Sequence, residues 1–222
     1  RGTRQRKPSP PFTTSTLQQE ASKRFGFNAQ RTMRTAQQLY EGIELKAGEI
    51  VGLITYMRTD STNVAKAAQD EAHSYIQNRF GKTFAPAKPP VYVTKTKGAQ
   101  EAHEAIRPTS VIRAPNTLKD ALSRDQLKLY TLIWERFVAS QMSNAVYDTV
   151  RVDIKAGLKR DEMPYEFRVA GSTIKFKGFL AVYEETRDPD EAIDEDEGRI
   201  LPELTIGETL DLVKLLPQQH FT

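Results

Sequence analysis

The stretch Gly52-Leu53-Ile54-Thr55-Tyr56-Met57-Arg58-Thr59-Asp60-Ser61 changes character half-way along. Its first half is apolar and β-branched, which predicts a short buried strand. Its second half is polar and predicts a helix start, with Asp60 or Ser61 as the N-cap. Tyr56 and Arg58 stand at the seam, two residues apart. In extended backbone, residues at that spacing share a face. A guanidinium grips a phosphate through two parallel hydrogen bonds, and a phenolic oxygen can attack phosphorus. The ordinary reading of the same pair is a Tyr that packs at a strand end and an Arg that covers it.

A second stretch bears on the choice. Gln100-Glu101-Ala102-His103-Glu104-Ala105-Ile106-Arg107-Pro108 crowds two acids, a His and an Arg into seven positions before a proline that ends regular structure. One His with two acids is a poor zinc set, so the metal reading is weak and a helix surface is the default. Together, however, the two stretches resemble two signatures of the type IA DNA topoisomerases, in the family's order. Met57 resembles the bacterial topoisomerase I form, where the topoisomerase III branch more often has Pro. The resemblance runs from about Pro11 to the last residue.

The bulk numbers fit a polyanionic partner. The chain has 222 residues, room for one large domain or two small ones. It has no Cys, which rules out disulfides and thiolate metal sites and suits a reducing cytosol. No apolar run approaches the roughly 20 residues that span a bilayer, and no signal peptide is visible. A first residue other than Met reads as a piece cut from a longer polypeptide. The net charge of +3 hides a split. Residues 1–11 hold four bases and no acid, residues 12–143 are net +6, and residues 144–222 are net −7. The motif-bearing part is thus the basic part, as phosphate neutralisation would require.

In order, residues 1–11 read as a basic, Pro-rich arm or linker, expected to be mobile on composition alone, and by the resemblance as the end of a preceding segment of the β-rich domain. A helix opens near Thr13, with Thr16 and Gln19 at capping-box spacing and Leu17, Ala21 and Phe25 on one face, and stops at Gly26. Asn28 caps a second helix to about Glu41, with Ala29, Met33, Ala36 and Tyr40 inward. Its outward residues Gln30, Arg31, Arg34, Gln37 and Gln38 suit base edges or phosphates. Two helices around a three-residue turn form a helix-turn-helix pattern. Short strands flank the turn at Lys46, Ala47 and Gly48. A helix follows over residues 62–80, with His73 beside its apolar stripe as a half-exposed residue and no ligand. Residues 91–94 suggest a strand. Ser123 caps a helix to about Met142, whose Leu127, Tyr130, Ile133, Trp134, Phe137 and Met142 are core. After Asn144 the period becomes two. Strands are expected near 146–154, 165–169, 172–182, 200–202 and 208–216, with Gly157, Gly171 and Gly178 at turns or bulges. Residues 184–197 carry nine acids against Arg187 alone, and read as a solvated loop.

The resemblance implies an α+β fold: a mainly helical domain over residues 12–143 with a catabolite-activator-like helix-turn-helix and the catalytic Tyr, then a β-rich hinge domain over residues 144–222. It implies that Tyr56 attacks a phosphodiester to form a 5′-phosphotyrosine, that Arg58 stabilises charge on the phosphate, and that His103 holds or protonates groups around it. Arg107 enters only as part of the motif. Arg58, Arg31 and Arg34 are the expected DNA contacts. The implied partners are single-stranded or negatively supercoiled DNA and the remaining domains of the same polypeptide, in a monomeric, cytoplasmic, nucleoid-associated enzyme. The family's Mg²⁺ ligands and general-acid Glu belong to an acidic Toprim domain, and no such segment is found here. The fragment alone is therefore expected to be inactive. Two rivals stand beside this reading: a non-enzymatic helix-turn-helix module that binds DNA, and a β-rich interaction domain whose acidic loop recruits a basic protein.

Overall fold

The computed structural model describes residues 1–45, 48–92, 103–157, 162–186 and 198–217. Strand β1 (Gly2–Arg6) is followed by helices α1 (Thr14–Phe25) and α2 (Ala29–Glu41), then by the two-residue strands β2 (Ile43–Glu44) and β3 (Ile50–Val51). Helices α3 (Lys66–Phe80) and α4 (Arg124–Ser140) come next, and the long strands β4 (Ala145–Ala156) and β5 (Tyr165–Phe176) complete the regular structure. All pairings are antiparallel, in a β1-β4-β5 sheet and a β2-β3 pair. The fold is α+β, as expected. Within the basic N-terminal arm, Gly2 to Arg6 form a strand in register with Thr149 to Ala145 of β4, so this part is held in the sheet and is not a loose tail.

Local chemistry explains the helix ends. Thr13 caps α1 in a capping box with Thr16, one turn earlier than the Thr16–Gln19 reading. Gly26 closes α1 in the left-handed conformation, at φ 66°, where a Cβ would be strained. Asn28 caps α2 by accepting from the Arg31 N–H. The buried face of α2 is Thr32, Thr35, Ala36 and Leu39, not the Ala29, Met33, Ala36 and Tyr40 set. Two threonines return their hydroxyls to carbonyls a turn back, Thr32 to Asn28 and Thr35 to Arg31, and so are buried without an unmet donor. The rotation leaves Tyr40 exposed at the helix end.

The helix expected from residue 62 begins at Lys66, and neither Asp60 nor Ser61 caps it. Before it, Thr59 Oγ1 accepts from the Ser61 N–H and Ser61 Oγ accepts from the Asn63 N–H. These local turns compete with helix. The capping role passes to a distant residue, Glu104, whose carboxylate accepts from the Ala65 N–H at 3.0 Å.

One hydrophobic core runs through the helical part and the first half of the sheet, with Tyr130, Tyr147, Phe12, Phe27 and Phe137 its largest fully buried side chains. Each such side chain contributes about 2 kcal/mol by leaving water. Trp134 is core, as expected: it stands edge-on to Tyr75 and donates from Nε1 to the Val111 carbonyl. Arg136 is buried as well. It donates to the Pro10 carbonyl, pairs with Glu185 and lies against the rings of Phe12 and Tyr183. Glu20, also buried, accepts from Arg24 and from the Thr186 N–H. The start of the acidic stretch, residues 184–186, is therefore fastened to α1 and α4; residues 187–197 lie outside the described set.

Several β expectations change. Strand β5 runs unbroken to Phe176, so the expected break at Gly171 is absent. Gly171 pairs with Val150 in mid-strand. A Cβ there would lie 2.5 Å from the Arg199 carbonyl, so glycine is required by the chain that crosses above it. Gly178 opens a 3-10 turn instead of continuing a strand. Residues 200–202 and 208–216 are irregular, and Ile200, Leu212 and Val213 are exposed. Alternation alone does not make a strand where no neighbour supplies hydrogen bonds. Val91 and Tyr92 are not a strand either, and residues 93–94 lie outside the described set.

Candidate active site

Three chain segments cross at the site, and backbone hydrogen bonds lace them together. Ile54 and Pro108 form an antiparallel bridge, and so do Phe12 and Ile106. The Thr55 N–H donates to the Arg107 carbonyl and the Thr109 N–H to the Leu53 carbonyl. Thr55 Oγ1 adds a second link, donating to the Ala105 carbonyl at 2.7 Å and accepting from the Arg107 N–H at 3.0 Å. The two sequence signatures are thus neighbours in space, which their separation by some fifty positions does not reveal.

The segment after Ile54 alternates. Tyr56, Arg58 and Asp60 are exposed, while Met57, Thr59 and Ser61 are buried. Met57 is only 1% exposed and Tyr56 is 47% exposed, so the buried residues anchor the segment and the phenol reaches solvent. This is not a regular strand, because the backbone bends at Thr55, Met57 and Arg58. Tyr56 and Arg58 are nevertheless both exposed.

Arg58 and His103 meet in an open cleft of about 480 Å³, with Thr14, Ser15, Gln18, Thr59 and Asp60. Among the described residues, no hydrogen bond or ion pair engages the side chains of Tyr56, Arg58 or His103. The guanidinium is therefore available to a ligand. Tyr56 stands outside this lining, and its ring turns toward Tyr40, edge-on at 5.4 Å between centroids.

Glu104 and Arg107 hold the second signature in place. Arg107 donates from Nε to Glu104 Oε2 at 2.9 Å and from Nη1 to the Pro108 carbonyl. With Glu104 also capping α3, the stretch beside His103 is tied to a helix end. Glu101 lies outside the described residues. The two α2 arginines differ. Arg31 grips Asp125 through Nε and Nη2, at 2.8 and 2.9 Å, and stacks over Phe27. Arg34 is exposed and has no side-chain partner among the described residues. His73 bonds to Gln77 within its own helix, as a surface residue does. Among the described residues, no group of three or more His, Cys, Asp or Glu is placed to hold a metal ion.

Sequence reading missed Thr14, Thr55 and Tyr40. Each acts on a partner far along the chain or in a different element, and none carries a local signature beyond helix start, strand and helix end.

A family model for DNA topoisomerase matches residues 1–222. The chain is 51% identical over 219 residues to DNA topoisomerase 1 of two Xylella fastidiosa strains, Temecula1 and 9a5c, covering 99% of this chain and 26% of those proteins. It is similar to the structure of full-length topoisomerase I from Thermotoga maritima, with a TM-score of 0.69 and 38% identity over 89% of this chain and 30% of that one.

Proposed function

The chain belongs to the bacterial DNA topoisomerase family and spans about a quarter of the length of the curated relatives it matches, and from that premise we propose that it is the tyrosine-bearing segment of a type IA enzyme. The observation that carries the proposal is the half-exposed Tyr56 phenol, two positions from an Arg58 that lines a cleft with His103 and whose side chain has no partner among the described residues.

The reaction is a phosphoryl transfer. Tyr56 Oη attacks the phosphorus of a DNA strand, the bond from phosphorus to the 3′ oxygen breaks, and the 5′ phosphate stays on the tyrosine. The phenol gives up its proton, and the leaving 3′ oxygen gains one. Free tyrosine holds its proton up to about pH 10, so the site has to favour the phenolate. Arg58, as a forked cation, binds the non-bridging oxygens as charge builds on them. His103 holds or protonates groups around that phosphate. Reversal reseals the strand without ATP, because the ester keeps the bond energy. Passage of the second strand through the break would relax negatively supercoiled DNA.

The described residues offer no cluster of three or more His, Cys, Asp or Glu for a Mg²⁺ ion. In this reading Mg²⁺ and the general acid are supplied by a Toprim domain in the rest of the polypeptide. The helical part over residues 12–143 is then the tyrosine domain and residues 144–222 belong to the hinge, with α1, the Gly26 turn and α2 as the helix-turn-helix. Arg34 is open to a DNA phosphate, whereas Arg31 would first have to release Asp125. The enzyme would act as a monomer on nucleoid DNA in the cytoplasm.

The test is to trap the complete polypeptide on a labelled single-stranded oligonucleotide and map the covalent adduct by peptide mass. An adduct on Tyr56, abolished by Tyr56→Phe, supports the proposal. DNA binding with no adduct, or with an adduct elsewhere, overturns it in favour of a binding module. This chain alone should leave supercoiled plasmid unchanged in the presence of Mg²⁺.

A further inference from the structure

The two peptide groups that flank Arg58 are bridged by a single hydroxyl from another element. Thr14 is the first residue of α1. Its Oγ1 donates to the Met57 carbonyl at 2.7 Å, with the Thr59 carbonyl at 3.1 Å, and accepts from the Thr59 N–H at 2.9 Å. Its own backbone N–H, one of the four that a helix start leaves unpaired, donates to the Thr59 carbonyl at 2.9 Å. The Met57 carbonyl belongs to the peptide bond before Arg58 and the Thr59 N–H to the peptide bond after it. The only free backbone torsions between them are those of Arg58 itself, and the hydroxyl spans both.

This arrangement is more than a helix cap. Capping of α1 falls to Thr13, which accepts from the Thr16 N–H. Thr14 has no such duty and turns its hydroxyl toward the site. Arg58 is exposed and among the described residues its guanidinium holds no partner, so no described contact at the tip of the side chain fixes its direction. Only the root is held, by Thr14 on one side and by the buried Met57 and Thr59 on the other. A long side chain magnifies a small error at its root.

We propose that Thr14 is a positioning residue for phosphoryl transfer: its hydroxyl sets the backbone of Arg58, and thereby where the guanidinium meets the phosphate oxygens. The proposal rests on the assignment of Tyr56 and Arg58 to that reaction. A displacement of about 1 Å at a reacting group can lower a rate by a hundredfold. Thr14→Val keeps the shape and removes the hydroxyl; Thr14→Ser keeps the hydroxyl.

The experiment measures single-turnover cleavage of a labelled oligonucleotide by the complete polypeptide, each variant below its own melting temperature and normalised to its folded fraction. Thr14→Val is expected to slow adduct formation by at least about tenfold, while oligonucleotide affinity changes less than about threefold, and Thr14→Ser is expected to restore the rate. Thr14→Ala serves as a second hydroxyl-free variant. The decisive arm is the double variant: in an Arg58→Ala background, Thr14→Val should cost almost nothing further, because the two residues act as a unit. A full additional loss in that background would mean that Thr14 serves only the fold, and would overturn the proposal. So would a valine variant that cleaves like the parent. A parent protein that forms no adduct on Tyr56 overturns the enzyme assignment itself, a separate outcome.

Discussion

The ring of Tyr56 meets the ring of Tyr40 edge-on, with centroids 5.4 Å apart and planes at 65°. The contact joins the end of α2 to the segment that carries the phenol, and both rings are more than two-fifths exposed. An edge-to-face pair contributes about 1 kcal/mol beyond its buried area. Tyr40 thus limits the directions in which Tyr56 can point. Tyr40→Ala is expected to lower the rate of adduct formation by up to about tenfold. Tyr40→Phe, which keeps the ring, should stay near the parent rate. Single-turnover cleavage of a labelled oligonucleotide separates the two.

Arg58 is exposed and has no side-chain partner among the described residues, so its replacement should spare stability. Arg58→Lys is expected to move unfolding free energy by no more than about 0.5 kcal/mol, the usual range for a surface change. Cleavage should nevertheless fall by more than tenfold, since a point charge does not reproduce the fork that binds two phosphate oxygens. Unaltered cleavage would remove Arg58 from the site.

Gly52 lies where α2 and the Tyr56 segment approach most closely. A Cβ on it would sit 2.8 Å from the Tyr40 carbonyl, and the next residue, Leu53, donates its N–H to the Leu39 carbonyl. Backbone on both sides leaves little room to yield. Gly52→Ala should destabilise by about 1–3 kcal/mol, the range for overpacking. Urea unfolding measures this, and the adduct assay should show a parallel loss as Tyr56 shifts from Tyr40.

Glu104 joins two jobs, capping α3 at the Ala65 N–H and filling the Arg107 fork. Arg107 is only 12% exposed and Glu104 28%. Glu104→Ala leaves a mostly buried cation and an open helix end. A loss of about 2 kcal/mol is expected, with charge-assisted hydrogen bonds the larger share. Thermal unfolding checks it, and His103, next along the chain, makes cleavage a second readout.

At high pH the fold should weaken through its buried phenols. Burial pushes the Tyr183 hydroxyl up to about 12, with Arg136 and Arg24 partly offsetting it, and burial raises Tyr92 and Tyr130 as well. A raised native value means that the unfolded chain ionises first. Stability is then whole below about pH 10 and declines as pH rises toward 12. Tyrosinate absorbance should appear in two stages, the second coinciding with loss of ellipticity. A single stage completed on folded protein would contradict this.

Residue types alone left the candidate site open. A phenol and a guanidinium two positions apart, after an apolar run, made Tyr56 and Arg58 candidates beside the ordinary packing reading, and the resemblance of two stretches to one family decided between them; both residues are exposed, as the alternation of their spacing implies. The stop of α1 and both ends of α2 followed from Gly26, Asn28 and Gly42, whose side chains, or lack of them, act on backbone within a turn, whereas the cap of α1 lay one turn before the one read from spacing. Helix α4 and the β4–β5 pair followed from their 3.6 and 2 residue periods.

What the sequence determined by itself was therefore local: where helices begin, which period each segment keeps, and which residue types can do phosphate chemistry. Tertiary structure decided the rest. It replaced the expected Asp60 or Ser61 cap with Glu104, turned the buried face of α2 so that Tyr40 met Tyr56, and brought Thr14 to the backbone of Arg58. It also left residues 200–202 and 208–216 without a partner strand among the described residues. The reason is the same each time. A hydrogen bond or a packing contact between residues of different elements, here 16 to 45 positions apart, depends on how whole elements dock, and no local propensity encodes that docking.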